Sequence, residues 1–266
     1  MTQETATVAL PCRYYRVFTD PGVPSEESNF GFVEQTLPLP VAETALVLVD
    51  VWSVHYIPSM VRRIERIVTE AIVPALAAAR ACGMTVIHAP SPWIVQKRGY
   101  VTAKPELAQV PTQSATWPPE GFRGIYRGGE WAAFGRPQEP TLPGIYEWYE
   151  TDLDIAAPAR PVGDDLVISS GPELHAVLAE RRVLHLVYAG FCANWCLPYR
   201  DYGMVQMNER GYNLILLRDA TTGIESADTV DELLMTEMTI REIETKWAWS
   251  STSADFTAAC AAPGRA

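Results

Sequence analysis

The stretch "LHLVYAGFCANWCLPYRDYG" (Leu184–Gly203) opens on a continuous apolar run, stops at a glycine, and then sets two cysteines four residues apart. A short run that is apolar at successive positions reads as a strand buried on both faces, the mark of a parallel sheet covered by helices. Pro198 fits the first turn of a helix far better than its interior. The local reading is therefore a strand over 184–190, a turn, and a helix from about Asn194 to Arg210.

The same unit recurs on either side. "ALVLVDV" (Ala45–Val51) is a strand, and the helix after it starts at Ser59, a candidate N-cap, and stops at Gly83, a candidate C-cap. Met60, Ile64, Ile67, Val68, Ala71 and Ile72 recur at helical spacing, and Pro74 must kink or split that helix. "MTVIHA" (84–89), "DLVIS" (165–169), "YNLILLRDA" (212–220) and "WAWSS" (247–251) read as further strands, with helices over 172–182 and 228–244, the last capped by Asp228. Strands alternating with helices give an α/β fold of three layers, Rossmann-like, with a mostly parallel sheet of about six strands flanked by helices. Residues 1–40 form an N-terminal extension with a candidate strand at "TATVAL", residues 41–256 a single α/β domain, and 257–266 a tail. An excursion rich in Pro, Gly, Trp and Tyr at about 90–163 breaks the rhythm. It reads as an ordered segment that covers the active-site edge or makes a subunit contact.

The chain has 266 residues, 48% apolar and 20% charged, with a net charge of −11. That balance suits a globular protein and disfavours nucleic-acid binding, which needs a basic footprint. The amino end lacks a basic stretch followed by an apolar core, and no segment offers the roughly 20 uninterrupted apolar residues of a membrane span. Five cysteines at irregular spacing form no disulfide framework. The expectation is a cytoplasmic protein with a small-molecule substrate and no membrane or nucleic-acid partner.

Cys192 and Cys196 admit four readings. A structural zinc site needs a second ligand pair, and Cys12, Cys82, Cys260 and the four histidines supply none. A disulfide sits poorly with a reducing compartment. Burial as small hydrophobes suits Cys192. Cys196 stands at the carboxyl end of a strand, where open parallel sheets bind ligands, and at the start of a helix. Helix-start N–H groups lower a thiol pKa and can hold an oxyanion, so nucleophile and core filler both stay open for it. Asp50 ends the run "ALVLVD" on the same sheet edge. An unpaired buried carboxylate is costly, so Asp50 either accepts backbone N–H bonds or serves Cys196 as a general base.

At this point the sequence resembles the isochorismatase-like cysteine hydrolases, a group that includes nicotinamidases and N-carbamoylsarcosine amidohydrolases. "ALVLVDVWSVHY", "ACGMTVIHA", "LHLVYAGFCANWC" and "GYNLILLRDATTG" follow that family's order and spacing from about Ala45 to Phe256. The resemblance implies that Asp50 is the catalytic acid/base and Cys196 the nucleophile. It also implies a cis peptide between Phe191 and Cys192, and an oxyanion hole built from the backbone N–H groups of Cys192 and Cys196. The implied reaction is hydrolysis of a small amide or related C–N bond through a thioester, by a homo-oligomer without cofactor. The alternatives are vinyl-ether hydrolysis with Asp50 as general acid, and a member that only binds a small molecule.

One departure stands out. The family's catalytic lysine follows the strand that here reads "DLVIS", where this chain has Ser169, Ser170 and Gly171. Lys97, Lys104, Arg123 and Arg127 in the excursion are the candidates by reach to replace it, and Arg200, one turn after Cys196, is another cation at the crevice. Trp195, His55, Trp52 and His88 are candidates to line the pocket. His88 stands alone where several relatives carry a metal cluster, so no metal is expected.

Overall fold

The computed structural model describes residues 6–108, 117–137 and 142–265. Every residue of β3 (Thr44–Val49) is buried, and alternate side chains feed two separate cores. Leu46 and Leu48 face one core, while Ala45, Val47 and Val49 face the other. β6 (His185–Gly190) divides in the same way, Val187 and Ala189 against Leu186 and Tyr188. A run that is apolar at every position can be satisfied only by cover on both faces, since successive Cβ atoms point to opposite sides. Full burial of each Leu, Val or Ile stabilises the sheet by about 1.5–3 kcal/mol.

Eight strands line up in the order β2-β1-β8-β7-β6-β3-β4-β5, with β9 (Gly264–Arg265) paired to β1 off that path. β4 (Thr85–Ala89), β5 (Leu166–Val167), β7 (Asn213–Leu217) and β8 (Trp249–Ser251) run parallel to β3 and β6. β1 (Ala6–Arg16) and β2 (Gly31–Pro40) form an antiparallel hairpin on the β8 edge. The sheet thus has eight strands in line where six are expected from the sequence, because the stretch before residue 41 belongs to it. The candidate strand "TATVAL" is the start of β1; the rest of the hairpin escapes a search for apolar runs because its burial alternates: Val8, Leu10 and Cys12 are buried and the residues between them are not.

α1 (Pro58–Ile67), α2 (Val73–Cys82) and α9 (Ser253–Ala261) cover one face. α5 (Gly171–Arg181), α6 (Cys196–Tyr199), α7 (Met204–Glu209) and α8 (Leu234–Lys246) cover the other. α1 and α2 are joined by one π turn over Val68–Ile72, in which Val73 N–H donates to Val68 O. The wide turn accommodates Pro74, which has no N–H and crowds the preceding turn, so the helix continues with a bulge. The cap is Ile57 with Pro58 behind it, two residues short of Ser59, and Gly83 closes the helix at φ 81°. α8 begins at Leu234, six residues past the Asp228 expected to cap it; Asp228 accepts a hydrogen bond from Ser226 instead.

The excursion contains α3 (Pro92–Arg98) and α4 (Leu142–Asp152) among single helical turns. It is stitched to the carboxyl edge of the sheet. Trp52 bridges Ile155, Ala156 N–H donates to Val51 O, and Ala103 N–H donates to Val167 O. Residues 109–116 and 138–141 of this segment lie outside the described residues.

Candidate active site

Asp50 is the first residue past β3, and its N–H donates to Ala89 O at 3.1 Å. Its φ of 45° is left-handed, a conformation that Asp tolerates better than bulkier residues. The turn buries the carboxylate completely and aims it along the carboxyl edge. Ser91, just after β4, donates to Oδ1 at 2.7 Å. Arg200 brings Nε and Nη2 to Oδ2 at 3.3 and 3.2 Å, and Nη2 also donates to Ser91 Oγ at 2.7 Å. The Cys196 thiol stands near the same carboxylate, close enough for the Asp50 charge to act on it. Burial works against the Arg200 charge, but the Asp50 carboxylate outweighs it and holds the guanidinium above its ordinary pKa.

The chain reaches this arrangement by breaking the helix expected over 194–210. α6 is a single turn, Arg200 leaves it at ψ 157°, and α7 starts only at Met204. At Gly203 an added Cβ would stand 2.7 Å from Pro198 O, so the chain can fold back this tightly only without a side chain there. The break turns Arg200 toward Asp50. Its neighbour Asp201 accepts from Gly171 N–H at 2.7 Å. Ser169 and Ser170, in the place of the family lysine, are likewise committed: both hydrogen-bond with the buried Glu173, and Ser170 caps α5.

Burial, followed by the facing Asp50 charge, pushes the Cys196 thiol up to about 12; Arg200 and the Cys192 backbone N–H pull the other way and lose. This corrects the expectation of a thiol acidified by a helix start. A four-residue turn offers little dipole, and the nearby carboxylate repels a thiolate. Cys82 differs: a hydrogen bond from Cys260 draws it below its ordinary value. Iodoacetamide at neutral pH is therefore expected to label Cys82 well before Cys196. Peptide mass spectrometry over a pH series reads the order directly, and a Cys196 labelling pKa below the free-thiol value of about 8.5 would contradict this geometry.

The Phe191–Cys192 peptide is cis, and the Cys192 N–H faces the Cys196 sulfur. Trp195 stands beside the nucleophile candidate with 58% of its surface exposed. His55 is buried and stacked between Trp52 and Tyr56, at 5.3 and 4.5 Å. It accepts from Ile57 N–H, and burial pushes it down to about 4, so it is neutral at physiological pH. His88 turns away from this cluster to the face covered by α2, where Nε2 meets Asp165 at 3.0 Å and Arg80 binds the same acid.

The four candidate cations of the excursion are engaged elsewhere or exposed. Lys104 pairs with Glu180 at 2.6 Å, Arg123 donates to Pro118 O, Arg127 donates to Phe122 O and Phe134 O, and Lys97 is exposed on α3. Two members of the cluster escaped sequence reasoning. Ser91 occupies the first turn after a strand on the same edge as Asp50, a placement that would have nominated it. Tyr202, whose hydroxyl holds Pro90 O at 3.1 Å, carries no such signal.

Among the described residues no three His, Cys, Asp or Glu side chains gather as a metal site, and no helix is long and apolar enough to cross a membrane. Residues 166–245 match the family model described as isochorismatase domain. The fold is similar to that of a cysteine hydrolase from Pseudomonas syringae pv. phaseolicola, with a TM-score of 0.53 at 18% identity over 85% of this chain and 95% of that one. An isochorismatase family protein from Desulfovibrio vulgaris has a TM-score of 0.49 at 18% identity over 83% of this chain and 99% of that one. No match was found among curated proteins. This chain therefore carries the isochorismatase-type α/β fold and, over residues 166–245, which include the Gly190–Cys196 block, that family's sequence pattern.

Proposed function

We propose that the protein is a cysteine-dependent hydrolase of a small amide or related C–N bond. The observation that carries this reading is the fully buried Asp50 carboxylate, held by Arg200 and Ser91 close enough to Cys196 for its charge to act on the thiol. A thiol kept protonated at rest needs a base nearby, and Asp50 is that base. As sulfur attacks the carbonyl carbon, its proton passes to Asp50, and the oxyanion forms against the backbone N–H groups of Cys192 and Cys196. Asp50 then protonates the leaving amine, and a water deprotonated by Asp50 hydrolyses the thioester. Arg200 supplies the cation that the family draws from lysine: its fixed fork places Nε and Nη2 against the Asp50 carboxylate.

The test is to mix the protein with a panel of small amides, quench in acid, and read intact mass. An acyl adduct located on Cys196 is expected with any turned-over amide, and Asp50→Asn is expected to abolish it. Cys196→Ala is expected to lose at least about 10⁴-fold in ammonia release, since no covalent route remains. Substrate turnover that survives Cys196→Ala but not Asp50→Asn would replace this reading with general-acid chemistry at Asp50.

A further inference from the structure

Arg63 lies on α1, half-buried, at the same sheet edge as the cluster just described. Its Nε donates to Thr222 Oγ1 at 3.3 Å and its Nη2 to Gly223 O at 3.2 Å, both neutral acceptors. Arg13, Arg80 and Arg200 are half-buried too, and each holds a carboxylate. Arg127 and Arg218, also half-buried, bond to neutral acceptors as Arg63 does but away from the Cys192–Cys196 turn. Arg63 forms no ion pair among the described residues, in a chain with 32 acidic residues against 21 basic ones. In a protein with acids in excess, leaving a partly desolvated guanidinium without one runs against the electrostatic optimum.

The loop that fixes Arg63 is itself fixed to the nucleophile turn. Thr222 O accepts from Ala193 N–H at 3.0 Å, and Asn194 brackets Ile224, accepting its N–H at 3.0 Å and donating to its carbonyl at 2.9 Å. Gly223 packs so close that an added Cβ would stand 2.9 Å from the Asn194 side chain. Arg63 is thus coupled rigidly to the two residues that follow Cys192, and its charge reaches the Cys192 thiol. Its Nε–Nη2 edge is committed to Thr222 and Gly223. The end-on edge, Nη1 and the second Nη2 hydrogen, has no partner among the described residues. Two parallel N–H groups in that geometry match the two oxygens of a carboxylate.

We infer that Arg63 binds an anionic group of the substrate, so that the substrate class is a small amide that also carries a carboxylate. This rests on the proposed cysteine chemistry only for where the amide sits, and the test separates the two. Iodoacetate and iodoacetamide differ by a carboxylate against a carboxamide. With either reagent the Cys196 sulfur attacks the methylene carbon, the C–S bond forms, iodide leaves, and the thiol proton passes to Asp50. The ratio of the two alkylation rates at Cys196 is expected to fall roughly tenfold in Arg63→Met, about 1.4 kcal/mol of lost anion recognition. The ratio at Cys82, at the far end of α2, is expected to stay constant and serves as the internal reference.

Arg63→Gln, which can keep the contacts to Thr222 and Gly223, makes the same comparison should the methionine variant not fold. An unchanged ratio at a reactive Cys196 overturns the inference and leaves the nucleophile standing. If Cys196, protonated at rest, reacts too slowly with both reagents to give a ratio, the acyl adduct described above remains the test of the nucleophile. Calorimetric binding of malonate against malonamide then decides the inference by itself: malonate binding that Arg63→Met weakens roughly tenfold supports it, and equal affinities overturn it.

Discussion

Arg200→Met is expected to destabilise the protein by about 3 kcal/mol at neutral pH and to lower kcat/KM by at least about 10³-fold. Removing one partner of a buried ion pair leaves the other as an uncompensated charge, which typically costs ~3–5 kcal/mol. The lower end applies because the Arg200 side chain is 33% exposed while Asp50 is fully buried. Urea titration of Arg200→Met beside the parent reads this loss directly. Adding Asp50→Asn removes the charge that was stranded, so the double variant is expected to be more stable than Arg200→Met alone. Arg200→Lys should retain part of the activity, because it keeps the charge while losing the fork that spans Asp50 and Ser91. Additivity of the two single changes would mean that Arg200 and Asp50 do not act as a unit.

Asp50, Cys192 and Cys196 were legible in the sequence because strand ends announce themselves. A continuous apolar run has to stop where backbone leaves the core, and a chemically awkward residue at that point needs a reason. The same logic reached the parallel half of the sheet and, at "TATVAL", the first part of β1, but missed the rest of β1 and all of β2, whose half-buried alternation looks like an ordinary loop-flanked segment. Arg200 was visible as a cation one turn past Cys196, yet its engagement with Asp50 depends on a helix that stops after four residues. That stop is written in Gly203, whose close approach to Pro198 O five residues back exists only once the chain has folded over on itself. The sign of the Cys196 shift was missed for a related reason. A helix start lowers a thiol only if the helix is long enough to have a dipole and no carboxylate stands near the sulfur, and here neither condition is met.

Gly190→Ala is expected to have the largest effect on folding of any single change in this site, above about 4 kcal/mol or failure to accumulate as folded protein. Gly190 has φ 120°, where L side chains are strained, and an added Cβ would stand 1.9 Å from Val49 O. That oxygen already accepts the Phe191 N–H at 2.9 Å, and Val49 pairs with Gly190 across the β3–β6 ladder. The clash is with backbone, so no side-chain rotation relieves it; only separation of the two central strands does. Gly211→Ala is the control: its φ of 89° is equally unsuited to alanine, but an added Cβ meets nothing within 4 Å. Its cost should be close to the left-handed penalty alone, roughly 1–2 kcal/mol. The difference between the two variants in chemical denaturation measures the steric contact itself, and equal costs would refute it. The contact matters for chemistry because Val49 and Gly190 are the residues directly before Asp50 and the Phe191–Cys192 turn. The spacing that excludes a single methyl at Gly190 is the spacing that brings the carboxylate of one strand to the thiol carried by the next.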